Sequence, residues 1–136
     1  DEYRDEFRRG DFLIRNLVGV DPNSGAVAIG AELQVGQTIQ FQVRDARAAD
    51  DELRHLLNDT AADLPTPAPA GLLFACNGRG AGLFGAPNHD AQAAQDLLGG
   101  PALAGFFCNG EIGPVGKGTY LHGFTASLGL IVPRAG

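Results

Sequence analysis

Gly71–Gly118, GLLFACNGRGAGLFGAPNHDAQAAQDLLGGPALAGFFCNGEIGPVGKG, decides how this chain is read. Two apolar runs, Leu72–Ala75 and Leu103–Phe107, each stop at a cysteine followed by Asn-Gly: Cys76-Asn77-Gly78 and Cys108-Asn109-Gly110. Between them lie a loop, Asn77–Pro87, with four glycines, and a helix expected over Asp90–Leu98. Asn88 is a good N-cap for that helix, Ala91, Ala94 and Leu98 face inward, and Gly99-Gly100-Pro101 ends it. Apolar runs of this length read as strands covered on both faces, hence central. Strand, helix, strand over this distance implies a right-handed crossover joining two parallel strands. Parallel strands end at the same edge of a sheet. The two Cys-Asn-Gly turns then lie side by side, next to Asn88-His89-Asp90, at the edge where open α/β sheets bind ligands.

The rest of the chain extends this unit. Leu17–Val20 and Ala26–Gly30, separated by Asp21-Pro22-Asn23-Ser24-Gly25, read as a hairpin, with Asp11–Asn16 β-prone before it. A turn follows at Gln34-Val35-Gly36-Gln37. Thr38–Arg44 (TIQFQVR) is the cleanest period-2 segment, with Ile39, Phe41 and Val43 on one face, and is expected near a sheet edge. Asp45 opens a helix over Ala46–Ala61 with Ala49, Leu53, Leu56, Leu57 and Thr60 on its inner stripe; Asp50, Asp51 and Glu52 are expected in its first turn. The prolines of Leu64–Ala70 make a connector. Glu111–Val115 reads as a short strand and Gly116-Lys117-Gly118 as a turn. Thr119–Val132 is either one bent strand or a hairpin about Gly123. The fold class is therefore α+β: a mixed, largely antiparallel sheet with one parallel βαβ crossover and two main helices packed on it.

A chain of 136 residues, 44% hydrophobic and 19% charged, is one globular domain with its own core. Residues 1–10 read as the tail of a preceding segment, with Tyr3 and Phe7 on one helical face, and 11–136 as the domain. The missing initial Met suggests a piece of a longer protein. A net charge of −6 without a basic cluster disfavours nucleic acid and anionic membrane. No apolar run approaches a membrane span. Two cysteines without a dense framework favour a reducing cytoplasm.

The candidate binding residues are Cys76, Asn77, Arg79, His89, Cys108, Asn109, Glu111 and His122. The cysteines are too far apart for a zinc spacing, so they read either as buried strand ends or, for Cys108 with a histidine, as a nucleophile pair. His89 in a first helical turn suits a neutral hydrogen-bonder. His122 shares a strand face with Tyr120 and Phe124 and reads as structural or, less simply, as a catalyst. His55 lies off its helix's apolar stripe and is solvated. Arg79 could clamp a carboxylate and Glu111 an amine, or the two could pair with each other. Neither nucleotide-binding glycine pattern is present: Gly78–Gly85 has its glycines in the wrong places.

GLLFACNGRGAGLFGAPNHDAQAAQDLLGG, GFFCNGEIGPVG and LHGFTASLGL together resemble the C-terminal half of the FIST sensory module (F-box and intracellular signal transduction proteins). Upstream, FLIRNLVGVDPNSGAVAIGAELQVGQTIQFQVRDA is similar to the start of the same FIST C domain. The resemblance runs from Asp11 to Val132. It implies a non-catalytic, ligand-sensing input domain that works with an N-terminal FIST half and a downstream signalling domain or protein. The ligand it implies is small and amino-acid-like, bound by the eight residues above, with Arg79 and Glu111 matched to a zwitterion. Two other roles follow from the family: a protein-interaction or scaffolding half, and a haem-based gas sensor using His89 or His122.

Overall fold

The computed structural model describes residues 6–7 and 11–133. The expected aromatic helix face at Tyr3 lies outside the described residues. Among the described residues seven strands and three helices follow in order: β1 (Leu17–Val20), β2 (Val27–Ile29), α1 (Ala46–Asp63), β3 (Ala70–Cys76), α2 (Gly80–Phe84), α3 (His89–Leu97), β4 (Ala102–Cys108), β5 (Glu111–Val115), β6 (Gly118–His122) and β7 (Ala126–Ile131).

The main sheet has the order β4-β3-β7. β3 pairs parallel with β4, from Ala70↔Ala102 to Cys76↔Cys108, and antiparallel with β7, from Ala70↔Ile131 to Ala75↔Ala126. The route β3–α3–β4 is the parallel crossover expected from the two apolar runs. Two antiparallel hairpins, β1–β2 and β5–β6, complete a mixed α/β fold. The β1–β2 turn is closed by Gly25 N–H to Asp21 O at 2.8 Å, with Asp21 Oδ2 accepting from Ser24 Oγ at 2.6 Å.

Helix α1 starts where Asp45 accepts from Ala48 N–H at 2.7 Å, an N-cap worth ~1 kcal/mol. Its Leu53, Leu57 and Ala61 pack with Ala93, Ala94, Leu97 and Leu98 of the crossover segment, and with Leu103, Leu128 and Leu130 of the sheet. That single cluster is the core among the described residues, and it lies on one face of β4-β3-β7. Leu56 points away and is exposed. Because the helix begins at Ala46, Asp50, Asp51 and Glu52 fall in its second turn, past the free N–H groups.

Five expectations need correction. The two apolar strands are not buried on both faces: Leu72 is 46% and Phe106 64% exposed, since α1 and α3 cover only the opposite face. On this open face Phe74 and Phe106 meet edge to face at 5.1 Å. β4 is an edge strand, with β3 alone central. Thr38–Arg44 forms no strand among the described residues, because period-2 patterning stabilises a strand only against a partner edge and an apolar layer. Asp11–Asn16 is likewise irregular. Thr119–Val132 is neither one strand nor a hairpin: it breaks at Gly123–Thr125, where Phe124 takes φ 59°, and sends β6 to β5 and β7 to β3.

Helix α3 also starts differently from the expectation. Asn88 adopts the left-handed conformation (φ 59°, ψ 17°) and its side chain makes no cap hydrogen bond. Ala93, not Ala91, is the third inward residue beside Ala94 and Leu98. Its end is as expected: Gly99 and Gly100 take positive φ, and Gly100 N–H returns to Gln95 O at 2.8 Å.

Candidate functional site

The register of β3 on β4 brings Cys76 directly beside Cys108. Beyond the strand ends, Asn77 N–H donates to Cys108 O at 2.8 Å, and Asn77 Nδ2 donates to Asn109 Oδ1 at 2.7 Å. Both asparagine side chains are solvent-facing. The chain then turns, closed by Arg79 N–H to Cys76 O at 2.8 Å, and carries Arg79 inward.

Arg79 meets Asp90 in the first turn of α3, with Nε to Oδ2 at 2.6 Å and Nη2 to Oδ1 at 2.9 Å. Both side chains are buried. Such a fork-to-fork pair is geometrically specific as well as strong. His89 Nδ1 lies 3.0 Å from Asp90 Oδ1, and its Nε2 lies 2.9 Å from Asp50 Oδ1 on α1. Its ring stacks on Phe84 of α2 at 3.6 Å and 8°, while the Arg79 guanidinium sits 5.2 Å from the same ring. Asp50 also accepts from Arg54 Nε at 2.8 Å. An unbroken line, Arg54–Asp50–His89–Asp90–Arg79, thus joins α1, α3 and the turn after β3. Burial by itself would raise the Asp90 pKa. Hydrogen bonds from Arg79 and then His89, with the charge they carry, outweigh it and hold Asp90 below the ordinary carboxylate value.

Glu111, 1% exposed, occupies the other side of the edge. Its Oε2 accepts from Thr125 Oγ1 at 2.9 Å and its Oε1 accepts from Cys108 Sγ at 3.3 Å, so one carboxylate fastens β4, β5 and the start of β7. The alternative that Arg79 and Glu111 pair with each other is therefore corrected: each is buried on a different partner. Burial, and then the Glu111 carboxylate, push the Cys108 thiol up from its ordinary value. A thiol in that state donates hydrogen bonds and is a poor nucleophile. The ultraviolet thiolate absorbance of Cys108, followed by comparing the chain with Cys108→Ser, is accordingly expected only well above neutral pH.

The histidines divide as their surroundings dictate. His122 Nε2 lies 3.0 Å from Gly113 O within the β5–β6 hairpin, a structural contact. His55 is solvated beside Asp59 at 3.5 Å. Neither His89 nor His122 fits an axial haem ligand: both nitrogens of His89 face carboxylates, and His122 Nε2 faces a carbonyl. Among the described residues no cluster of three or more His, Cys, Asp or Glu side chains could hold a metal ion.

A cavity of about 210 Å³ adjoins the charged line, between the α3 N-terminus and the β3–β4 sheet. Leu73, Ala75, Leu103 and Phe107 form its apolar wall, and His89 and Asp90 its polar end. Of the eight residues expected to bind, only His89 lines it. The structure gathers Cys76, Asn77, Cys108, Asn109 and Glu111 beyond the strand ends, Arg79 and His89 at the start of α3, and places His122 in the hairpin. The sequence reading missed Asp90, Asp50, Thr125 and Phe84. An acid in the first turn of a helix, with an arginine just before the preceding loop helix, was the available signal for Asp90.

No helix among the described residues is long and apolar enough to cross a membrane. Over 124 residues the chain is 59% identical to the Mycobacterium tuberculosis protein named Uncharacterized protein Rv0628c, a match covering 91% of this chain and 32% of that protein. It is 54% identical, with the same coverage, to Uncharacterized protein Mb0898c of Mycobacterium bovis. The chain thus spans about a third of the length of these curated relatives. The model of the FIST C domain matches residues 3–114, which include both Cys-Asn-Gly turns, the crossover helix and Glu111. The crossover, the paired strand ends and this match agree: the chain belongs to the FIST C domain family, a family of signal-sensing modules.

Proposed function

We propose that this domain is the C-terminal part of a cytoplasmic sensory input unit that binds a small, amino-acid-like ligand at the carboxyl edge of β3 and β4. The observation that carries the reading is a cavity with an apolar wall set directly against a buried charged line at that edge. Just past Ala75 and Phe107 of the cavity wall, and outside its lining, the solvent-facing Asn77 and Asn109 amides offer both donors and acceptors to a carboxylate and an ammonium group reaching out of it. Arg79, Glu111 and Cys108 shape the edge from behind. The unit works with an N-terminal FIST half and a downstream signalling partner, in keeping with family membership.

Calorimetry against a panel of free amino acids is expected to give saturable heats with at least one of them. The exposed double substitution Asn77→Ala/Asn109→Ala should weaken that binding ~10-fold, the scale of one lost hydrogen bond. Absence of heat across the whole panel, or binding indifferent to the double substitution, counts against this site.

A second reading, a docking half, draws on the open sheet face. Leu72 and Phe106 leave apolar area uncovered next to the paired Phe74. Patches of this kind mark interaction surfaces, and the N-terminal FIST half is the partner this reading assigns to it.

A further inference from the structure

Thr38–Arg44 stands apart from both readings. It carries the most regular alternation in the sequence, yet its apolar residues face solvent: Ile39 is 56%, Phe41 77% and Val43 90% exposed. Among the described residues no strand pairs with it. Its residue order is nearly palindromic about Phe41. Gln40 and Gln42 flank the centre, then Ile39 and Val43, then Thr38 and Arg44.

Antiparallel pairing of two such segments about Phe41 has a simple result. Phe41 meets Phe41, Gln40 meets Gln42, Ile39 meets Val43 and Thr38 meets Arg44. Because side chains alternate with period 2, every apolar residue then lies opposite an apolar one and every polar residue opposite a polar one. No like charges come opposite. The arrangement is an isologous two-fold contact, the commonest symmetry of soluble homo-oligomers.

Electrostatics favours a second copy at this place. The chain carries a net charge of −6, yet Leu33–Arg44 contains no acidic residue and ends in a cation. Two acidic copies can approach along this strip without opposing carboxylates. The segment is also anchored to the body of the domain. Arg44 Nη1 donates to Gly78 O at 2.9 Å and its guanidinium lies 5.3 Å from the Phe124 ring, directly before the Asp45 cap of α1. Anchoring lowers the ordering cost of forming a strand there. The Gln42 Nε2 to Gln40 Oε1 bond at 3.0 Å already aligns the polar face.

We propose that two copies of this chain associate by antiparallel pairing of Thr38–Arg44 across a two-fold axis at Phe41. Three apolar side chains from each copy, with the main-chain ladder, fall short of the ~1,000 Å² expected of a firm interface. The association is therefore weak and concentration-dependent.

Sedimentation velocity over a concentration series, run on the unaltered chain, is expected to show a monomer passing to a dimer. Phe41→Asp, at an exposed position, should remove the dimer while leaving the circular dichroism of the monomer unchanged. Register is read by oxidative cross-linking above the background set by Cys76 and Cys108. Phe41→Cys and the double Gln40→Cys/Gln42→Cys should give disulfide-linked dimers, and Gln40→Cys alone should not. A monomer at every concentration, a dimer that survives Phe41→Asp, or cross-linking of Gln40→Cys as ready as that of Phe41→Cys would overturn the proposal. The first of these outcomes would assign the segment to a different polypeptide partner.

Discussion

Gly105→Ala is expected to abolish the fold. Gly105 lies opposite Leu73 in the parallel β3–β4 pair, and a Cβ there would overlap Leu73 O and stand 2.7 Å from Leu73 C. Those are main-chain atoms, so no rotamer change relieves the overlap; the strands must separate. Separation breaks the pairing that positions both Cys-Asn-Gly turns and lifts Leu103 out of the core. A loss of more than about 4 kcal/mol, in the range reserved for severe core and backbone conflicts, exceeds what a marginally stable domain of this size readily tolerates. Far-ultraviolet circular dichroism and chemical denaturation test it. A variant with the unsubstituted midpoint would mean that β3 and β4 do not approach this closely.

The second large effect concerns the Arg79–Asp90 pair. Asp90→Ala leaves a guanidinium buried with no carboxylate in reach, which is expected to cost about 3–5 kcal/mol. Arg79→Leu/Asp90→Leu together should cost much less than either partner removed alone, because desolvation of both charges is then avoided. The pair also sets an acid limit on stability. Asp90 is held below its ordinary value in the fold, so the unfolded chain takes up the proton first as the pH falls. The stabilisation is complete above the ordinary Asp value of about 4 and is lost as the pH drops through the depressed folded value. Denaturation midpoints measured between about pH 7 and about pH 3 should fall on the acid side, and less steeply in Asp90→Asn. Equal slopes in the two proteins would remove Asp90 from the account.

Much of this arrangement was legible in the residues. An apolar run that ends in Cys-Asn-Gly, repeated after a helical interval, admits few topologies other than a parallel crossover, and β3, α3 and β4 lie where that pattern put them. Asp45 before Ala46 marked the start of α1 because a side-chain oxygen at that position satisfies a free N–H group. The failures have separate physical causes. Gly80–Phe84 reads as loop because two of its five residues are glycine, yet it forms the short helix whose Phe84 carries His89. Asn88 has the residue type of a side-chain cap, whereas its left-handed backbone makes the turn instead. Thr38–Arg44 has a strand's pattern, but pairing depends on an edge that no local pattern encodes. Arg79 and Glu111 looked like neighbours in search of each other; only the three-dimensional path of the turn shows that each already had a nearer partner.

The place of β3 has a kinetic consequence. Its parallel partner β4 arrives through a short crossover, whereas its antiparallel partner β7 comes from the far end of the chain. Closing the longer loop costs more entropy, so the β3–α3–β4 unit is the natural nucleus and β7 the last strand to dock. Until β7 arrives, β3 presents an open apolar edge to neighbouring molecules, a hazard for aggregation. Thr125, Ser127 and Leu128 then close that edge, reach Glu111 and Ile112, and complete the core beside Leu57 and Leu98. During synthesis, the carboxyl edge of β3 and β4 would therefore be assembled before the strand that protects it.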